Sequence, residues 1–325
     1  MSGADDAAIA ALVRHWRPDT EVTRIERHFA GASSDIWMVD AVVSGAEWPL
    51  VVRMPALTLA DGGLAREFDL LRVLADTVVP VPEAYLIDAS GRFLGRPAML
   101  IERVAGVADR KVHGTGASRP SDPTLSLARA RAVANALADI HHVDPTTLPL
   151  PPADADPARS AIDAIDAQIR RHEREAMPEL RLAMLWLREN APPAPERRAL
   201  VHGDFRPANL MIDGSRITAV LDWEFSHIGD PAADIGWYLT PYYRADHLIA
   251  GAWEAEDFLS CYEARLGAFA DRAAIRFWSI HAMVRLAAIA LASLDAFRAG
   301  ESMRIMPSAE FVVGPLLATL AEEAA

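Results

Sequence analysis

One short segment, residues 200–222, has the pattern of β-structure in a part of the chain whose pattern is otherwise mainly helical. Asp213 and Gly214 lie near its middle, and an Asp-Gly pair favours a tight turn between two antiparallel strands. Such a hairpin returns Asp222 to the end at which Asn209 lies, because the chain reverses between them. The segment therefore predicts that a carboxylate and an amide oxygen meet at the open end of a hairpin.

Asp204 lies five residues before Asn209, on the loop that would precede this hairpin. Mg²⁺ prefers oxygen ligands and usually takes only one or two carboxylates together with substrate phosphates. Phosphoryl transfer also needs a carboxylate that orients the attacking hydroxyl and accepts its proton. This spacing is similar to that of the protein-kinase catalytic loop, a resemblance that implies phosphoryl transfer from ATP, with Asp204 as the catalytic base and with Mg²⁺ on Asn209 and Asp222.

Three motifs together resemble those of a known family. Residues 202–209 have the sequence His-Gly-Asp-Phe-Arg-Pro-Ala-Asn, residues 221–224 Leu-Asp-Trp-Glu, and residues 229–234 Gly-Asp-Pro-Ala-Ala-Asp. This combination resembles the aminoglycoside phosphotransferase superfamily of kinase-like enzymes. The resemblance implies an α+β, bilobal protein-kinase-like fold: a small N-lobe with an antiparallel sheet and a helix, and a larger, mainly helical C-lobe.

The hydrophobic pattern agrees with such a fold. It predicts helices over 5–16 and 64–74 and strands over 21–29, 36–43, 49–54, 84–88 and 98–103. Further helices are predicted over 125–142, 157–190, 231–239, 254–266, 271–298 and 308–323. Residues 105–124 are rich in Gly, Ser, Pro and Asp, a poor composition for a packed element. We therefore predict a nucleotide-binding N-lobe over 1–104 and a C-lobe with the catalytic loop and substrate site over 105–325.

A loop over residues 29–36 lies between two predicted strands, where a kinase-like N-lobe would cover the nucleotide phosphates. Gly31, Ser33 and Ser34 are its candidate phosphate-binding residues, through backbone amides and hydroxyls. The loop holds only one glycine, so an ordinary hairpin turn is an equally good interpretation.

The N-lobe has no lysine, since Lys111 is the only lysine of the chain. Arg53, on the third predicted strand, is therefore the candidate cation for the nucleotide phosphates, and arginine can bind phosphate through a bidentate fork. The acyl-CoA-dehydrogenase-associated branch of the family resembles this chain in carrying arginine there. Glu67 on the next helix is the expected ion-pair partner, although it could instead lie on a solvated helix face.

The resemblance assigns further roles. Residues 99–104, with Glu102 and Val104, would form the hinge whose backbone binds the adenine edge. Asp234 would brace the catalytic loop through hydrogen bonds. His202, within the motif itself, is interpreted as a packed residue that positions this loop before any role in catalysis. Glu224 could assist metal binding or contact substrate, or it could cap local backbone.

Composition excludes several classes of partner. The 325 residues include 45 acidic and 32 basic residues, for a formal net charge of −13. This charge disfavours nucleic acid and anionic membrane surfaces, which attract clustered Lys and Arg. Cys261 is the only cysteine, so an intramolecular disulfide and a cysteine-based metal site are excluded.

The start of the chain lacks the basic and apolar pattern of a signal peptide. The apolar run 286–294 is far shorter than the roughly 20 residues needed to cross a bilayer. We therefore expect a cytoplasmic protein without a membrane span. Its oligomeric state is left open.

The acceptor should be a small molecule. Gly203 stands where protein kinases have an arginine that can respond to a phosphorylated activation loop, and Trp223 and Glu224 stand where they have Phe-Gly. Arg206 lies close to Asp204 in sequence, which suits an anionic or neutral hydroxylated acceptor, for example a hydroxyacyl-CoA or another metabolite.

Three alternatives stay open. An aminoglycoside or other antibiotic could be the acceptor, attracted by the acidic residues Glu254, Glu256, Asp257 and Glu263, although these also have the spacing of a solvated helix face. The chain could be a nucleotide-binding module without activity. It could also be a metal-dependent phosphohydrolase that uses the same carboxylates.

Overall fold

This computed structural model describes residues 3–28, 34–55, 63–120, 122–300 and 309–323. The helices and strands in these ranges are α1 (Gly3–Trp16), β1 (Thr20–His28), β2 (Ser34–Val43), β3 (Ala46–Pro55), α2 (Gly63–Leu74), β4 (Ala84–Asp88), β5 (Ala98–Glu102), α3 (Pro123–His142), α4 (Pro157–His172), α5 (Pro178–Glu189), β6 (Ala199–Val201), β7 (Leu210–Asp213), β8 (Arg216–Val220), β9 (His227–Gly229), α6 (Ala232–Tyr238), α7 (Arg244–His247), α8 (Ala255–Leu266), α9 (Arg272–Arg298) and α10 (Glu310–Glu323).

The described residues form two compact units, each made of segments that are separate in sequence. The first unit comprises Met1–Ala108, Thr146–Leu150 and Leu210–Glu224, and the second comprises Asp109–Pro145, Pro151–Asn209 and Phe225–Ala325. An antiparallel sheet dominates the first unit and helices dominate the second, which confirms the predicted α+β class. The domain boundary predicted between residues 104 and 105 stays a prediction.

The first unit is built on a five-stranded antiparallel sheet in the order β1-β2-β3-β5-β4. Alternate residues of β2 are buried, as expected of a strand with one face on a core. Ile9, Leu12 and Val13 share one face of α1 and pack with the sheet residues Val39 and Leu50. This apolar layer holds β3, which carries Arg53, in the centre of the unit.

The β7–β8 hairpin also belongs to the first unit. Asp213 pairs with Arg216, so Gly214 is the first residue of a two-residue loop, and its φ of +60° suits a type II′ turn. The backbone of Ile212 bonds that of Val107, and the hydroxyl of Thr218 donates to the carbonyl of Ala105 at 2.6 Å. The predicted hairpin is therefore present, and it is bonded to residues 105–107.

Helix α9 is the core of the second unit. Helices α4, α5, α6 and α10 pack against it, and its buried residues occur all around the helix, as expected of a core helix. Among the described residues, α9 is also the helix whose length and composition would allow it to cross a membrane. However, 61% of its most apolar stretch is buried inside the protein.

The helix predicted over 157–190 is in fact two helices, α4 and α5. Pro178 begins α5, and proline removes a backbone donor and disfavours helical geometry in the residue before it. Asp166 of α4 pairs with Arg188 of α5 at 3.0 Å, which links the two helices side by side. Apolar residues recur at helical spacing on both sides of the break, so the sequence pattern alone predicts a single helix.

Two helical glycines provide a test of the packing on α9. A Cβ at Gly236 of α6 would lie 2.7 Å from the backbone nitrogen of Ser279, whereas a Cβ at Gly314 of α10 would have no atom within 4 Å. We expect Gly236→Ala to lower the free energy of unfolding by about 1–3 kcal/mol, because the two backbones must separate. Gly314→Ala should raise it by up to about 1 kcal/mol through helix propensity. Urea denaturation of both variants measures the difference, and equal effects would contradict this account of α6 packing.

Candidate active site

Arg53 of β3 is the centre of an ion cluster in the first unit. Its guanidinium bonds the carboxylates of Glu67 and Asp222, and it lies 3.3 Å from that of Glu224. Its Nε donates to the hydroxyl of Ser34 at 3.1 Å. The predicted pair of Arg53 and Glu67 is therefore present, and three carboxylates share one cation.

Glu67 lies on the apolar face of α2, where its neighbours Leu64, Phe68 and Leu71 are buried. Only 5% of its side chain is exposed, so the interpretation of Glu67 as part of a solvated helix face is wrong. Its carboxylate also accepts a hydrogen bond from the backbone N–H of Trp223 at 3.2 Å. Glu67 therefore holds both Arg53 and the residue that follows Asp222.

Asp222 has an uncommon backbone conformation. Its φ of +67° lies in the left-handed region, which non-glycine residues rarely adopt outside strained or functional positions. Its side chain is 24% exposed, compared with 5% for Glu67 and 10% for Glu224. Asp222 is thus the most accessible carboxylate of the cluster.

Arg53 remains protonated at this buried site. Burial by itself would lower the pKa of Arg53, but the charges of Glu67, Asp222 and Glu224 outweigh it and raise the pKa above its usual value. Glu224, a candidate for contact with metal, substrate or local backbone, forms an ion pair with Arg53. The cluster thus places one fixed positive charge among three carboxylates, and burial raises the pKa of Glu67 above its usual value despite the charge of Arg53.

The predicted catalytic loop, residues 202–209, lies in the second unit and places Asp204 beside Asn209. The amide nitrogen of Asn209 donates to Asp204 Oδ2 at 2.8 Å and to the Asp204 carbonyl at 2.9 Å. Arg206 Nε donates to the same Oδ2 at 3.1 Å. Asn209 therefore uses its amide nitrogen on Asp204, and its carbonyl oxygen is the atom suited to a cation.

Asp234 of α6 holds the start of this loop. Its two carboxylate oxygens accept the backbone N–H groups of His202 at 2.7 Å and Gly203 at 2.8 Å. The next N–H, that of Asp204, donates to His202 Nδ1 at 3.2 Å. The structure therefore has Asp234 bracing the loop and a fully buried His202 positioning it, the arrangement that the resemblance implies.

His141 was missed by sequence reasoning. Its Nδ1 lies 2.7 Å from the hydroxyl of Tyr262 and its Nε2 lies 3.3 Å from Asp234. Burial would raise the pKa of Asp234, but the hydrogen bonds and charges of His141 and His202 lower it below its usual value. The sequence offered one signal for this role, a histidine at the apolar end of helix α3.

Gly203 has a steric role. Its φ is +82°, and a Cβ there would lie 2.7 Å from the carbonyl oxygen of Phe225. Only glycine fits this conformation and this close approach. Arg285 of α9 donates to the Gly203 carbonyl at 2.6 Å. A charged residue inside the apolar sequence of α9 was the signal for this contact.

The other predicted nucleotide-binding residues have varied positions. Gly31 and Ser33 lie outside the described residues. Ser34 begins β2 and contacts Arg53 through its hydroxyl. Glu102 ends β5, and its carboxylate accepts the backbone N–H of Glu83 at 3.2 Å. Val104 follows two residues later and is half-buried.

The donor set suits a cation held partly by substrate. Within the described ranges there is no group of three or more His, Cys, Asp or Glu side chains arranged to hold a metal ion. Mg²⁺ commonly takes only one or two protein carboxylates and completes its shell with phosphates and water. Asp222 in the first unit and the Asn209 carbonyl in the second are each oxygen donors of the kind that Mg²⁺ prefers.

The fold and these two groups of residues define a kinase-like phosphotransferase: a sheet unit with a buried Arg–Glu pair, and a helical unit with a braced Asp-x4-Asn loop. The chain belongs to the phosphotransferase enzyme family, whose model matches residues 24–278. The predicted family is confirmed, and with it the enzyme class.

Mouse (Mus musculus) acyl-CoA dehydrogenase family member 10 is 32% identical over 209 residues, which are 61% of this chain and 19% of that protein. This chain thus spans about a fifth of the length of that relative. A Ralstonia eutropha protein provisionally described as an aminoglycoside phosphotransferase has a TM-score of 0.74 at 23% identity, over 98% of each chain.

A thermostable mutant of aminoglycoside phosphotransferase APH(4)-Ia, solved as a ternary complex with AMP-PNP and hygromycin B, has a TM-score of 0.67 at 20% identity. The match covers 98% of this chain and 99% of that one. Both structural matches show the fold.

The Arg53 cluster predicts a large stability effect. Arg53→Met should lower the free energy of unfolding by about 3–5 kcal/mol, because it leaves the buried Glu67 carboxylate without its cation. Arg53→Met combined with Glu67→Leu should recover part of that loss. Arg24→Met is the control, because Arg24 and Glu26 form an exposed pair that contributes little. Urea denaturation of the four proteins tests this, and a loss for Arg53→Met no larger than for Arg24→Met would refute it.

Asp234 predicts a pH effect with a defined sign. Its folded pKa is depressed, so its stabilising effect is present above the unfolded value and is lost as the pH falls through the folded pKa. Asp234→Asn should cost about 1–3 kcal/mol at neutral pH, because an amide oxygen cannot accept both loop N–H groups in the same way. The difference from wild type should shrink below about pH 4. Urea unfolding between neutral pH and pH values below about 4 measures the difference in unfolding free energy, with the exposed Asp76→Asn as control. A difference that does not change with pH would contradict the depressed pKa of Asp234.

Proposed function

We propose that this protein transfers the γ-phosphoryl group of ATP to a hydroxyl of a small molecule, with Asp204 as the catalytic base. The arrangement of the Asp204 carboxylate carries the proposal. Asn209 and Arg206 both bond Oδ2, whereas no group of the described residues bonds Oδ1. A side chain held through one oxygen presents the other to an incoming hydroxyl.

In the proposed reaction the acceptor oxygen forms a bond to the γ-phosphorus, and the bond from that phosphorus to the β,γ-bridging oxygen breaks to release ADP. Asp204 receives the hydroxyl proton. Asn209 keeps the carboxylate in place, and the charge of Arg206 lies beside it. The loop keeps its geometry because Asp234 and His202 bond its first three amides.

Asn209, through its carbonyl oxygen, and Asp222 are the residues proposed to hold Mg²⁺. A bound Mg²⁺ would neutralise phosphate charge as it develops in the transition state. Arg53 is proposed to bind the nucleotide phosphates while Glu67 and Ser34 hold its guanidinium. The backbone N–H of Val104 is not bonded within the described part of the chain, which supports its proposed role as a donor to adenine.

The charges around Asp204 favour an anionic or neutral hydroxylated acceptor, such as a hydroxyacyl thioester. Arg206 places a cation 3.1 Å from the catalytic carboxylate, which is unfavourable for a polycationic antibiotic. Similarity to an acyl-CoA dehydrogenase family member also supports this acceptor class.

The acidic residues once considered as an aminoglycoside site have other contacts. Glu256 and Glu263 both form ion pairs with Arg272, and Glu254 and Asp257 form a capping box at the start of α8. They therefore support a structural helix face. The likeness to an APH(4)-Ia complex with hygromycin B keeps an antibiotic acceptor as the second candidate.

Replacement of the base tests the proposal. Asp204→Ala should lower ATP-dependent phosphorylation by about 10²- to 10⁴-fold, because proton acceptance is lost, while ATP affinity stays near that of wild type. ADP formation is measured with Mg-ATP and a panel of hydroxy acids, acyl thioesters, sugars and aminoglycosides. Asp76→Ala, which alters an exposed aspartate, is the matched control.

The outcomes separate the alternatives. ADP formation that depends on the acceptor supports a phosphotransferase, whereas phosphate release without an acceptor supports a phosphohydrolase. ATP binding without turnover across the panel supports an inactive nucleotide-binding module. Equal rates for Asp204→Ala and Asp76→Ala would remove Asp204 from the mechanism.

A further inference from the structure

Arg285 is surrounded by aromatic rings in the second unit. Its guanidinium carbon lies 5.0 Å from the ring centre of Phe225 and 4.7 Å from that of Trp237. The ring of Tyr243 is 5.7 Å from that of Trp237. We call Phe225, Trp237, Tyr243 and Arg285 the Arg285 cluster.

The Arg285 cluster lies beside the proposed catalytic base. Arg285 bonds the carbonyl of Gly203, the residue that precedes Asp204, and Arg206 bonds Asp204 itself. Burial raises the pKa of Tyr243 to about 12, with smaller effects from the charges of Arg206, Asp204 and Arg285. The phenol is therefore within electrostatic range of all three charges.

The indole N–H of Trp237 is buried, with only 5% of the residue exposed, and it has no hydrogen-bond partner on the residues that the structure describes. Buried donors are usually bonded, and leaving one without a partner costs free energy. An oxygen atom of a bound molecule would satisfy this donor. Because the ring of Trp237 lies against the Arg285 guanidinium, that oxygen would also lie near a positive charge.

We propose that the Arg285 cluster and Arg206 bind an anionic group of the acceptor, such as a carboxylate, and so bring its hydroxyl to Asp204. The guanidinium groups supply charge and several N–H donors, and the indole supplies one more. Phe225 is 42% exposed and offers an apolar surface next to Arg285. The subsite thereby selects hydroxylated anions over polyamines. It rests on the proposed phosphotransferase function, since that function gives Asp204 its role.

The test compares two tryptophans. Trp253 also has a buried indole N–H without a partner among the described residues, but it is not part of the Arg285 cluster, so it is the matched control. The full chain with ¹⁵N-labelled tryptophan is titrated with β-hydroxybutyrate and β-hydroxyoctanoate. Each acid is compared with the diol in which a hydroxymethyl group replaces the carboxylate. Indole resonances are assigned with Trp237→Phe and Trp253→Phe.

Both acids should shift the Trp237 resonance, and the diols should not; the Trp253 resonance should stay in place. Trp237→Phe should raise the dissociation constant of the acids by about 10-fold or more, because a hydrogen bond to a charged group is lost, and should leave the ring packing intact. Trp253→Phe should leave acid binding unchanged. The proposal is overturned if neither acid shifts the Trp237 resonance. It is also overturned if Trp237→Phe and Trp253→Phe change the dissociation constant of the acids equally.

Repeating the titration on Asp204→Asn separates this proposal from the proposed function. An indole shift that persists there, with no ADP formed by wild type on any acceptor, would retain the anion subsite and reject the phosphotransferase. Acceptor-dependent ADP formation without an indole shift would retain the phosphotransferase function and reject the anion subsite.

Discussion

A single buried guanidinium, that of Arg53, connects strand β3 with three other segments of the first unit. It bonds the start of β2 through Ser34, the face of α2 through Glu67, and the segment after β8 through Asp222 and Glu224. A buried arginine without partners would be strongly destabilising, so these segments must assemble around it. The carboxylates of Glu67, Asp222 and Glu224 satisfy that requirement.

The second unit uses a buried carboxylate in the same way. Asp234 is fully buried, and its two oxygens accept successive N–H groups at the start of the catalytic loop while His141 lies against it. Regular secondary structure does not satisfy these loop amides, so a side chain must do so. In each unit, therefore, a buried charge fixes the conformation of a short loop that carries proposed catalytic side chains. The loop can hold a positive φ at Gly203 because glycine has no Cβ.

Local sequence patterns predicted much of this. The Asp-Gly turn, the period-two strands and the helix of Glu67 appear where expected, because they depend on neighbouring residues alone. The predictions were less successful where distant residues decide the outcome. Apolar periodicity predicts one helix over 157–190, but Pro178 begins a second helix there. The sequence indicates only that Gly203 replaces a charged residue, whereas the structure shows that a side chain at Gly203 would collide with Phe225.

The sequence by itself determined the fold class, the family and the identity of the proposed catalytic residues, because motif spacing along one loop and one hairpin is a local property. Tertiary structure alone decided that Glu67 is buried, that Ser34 contacts Arg53, that Arg285 bonds the catalytic loop and that the Trp237 N–H has no partner on the described residues. The physical reason is that burial and hydrogen bonding depend on which distant segments share a core. Such neighbours are specified only when the whole chain has packed.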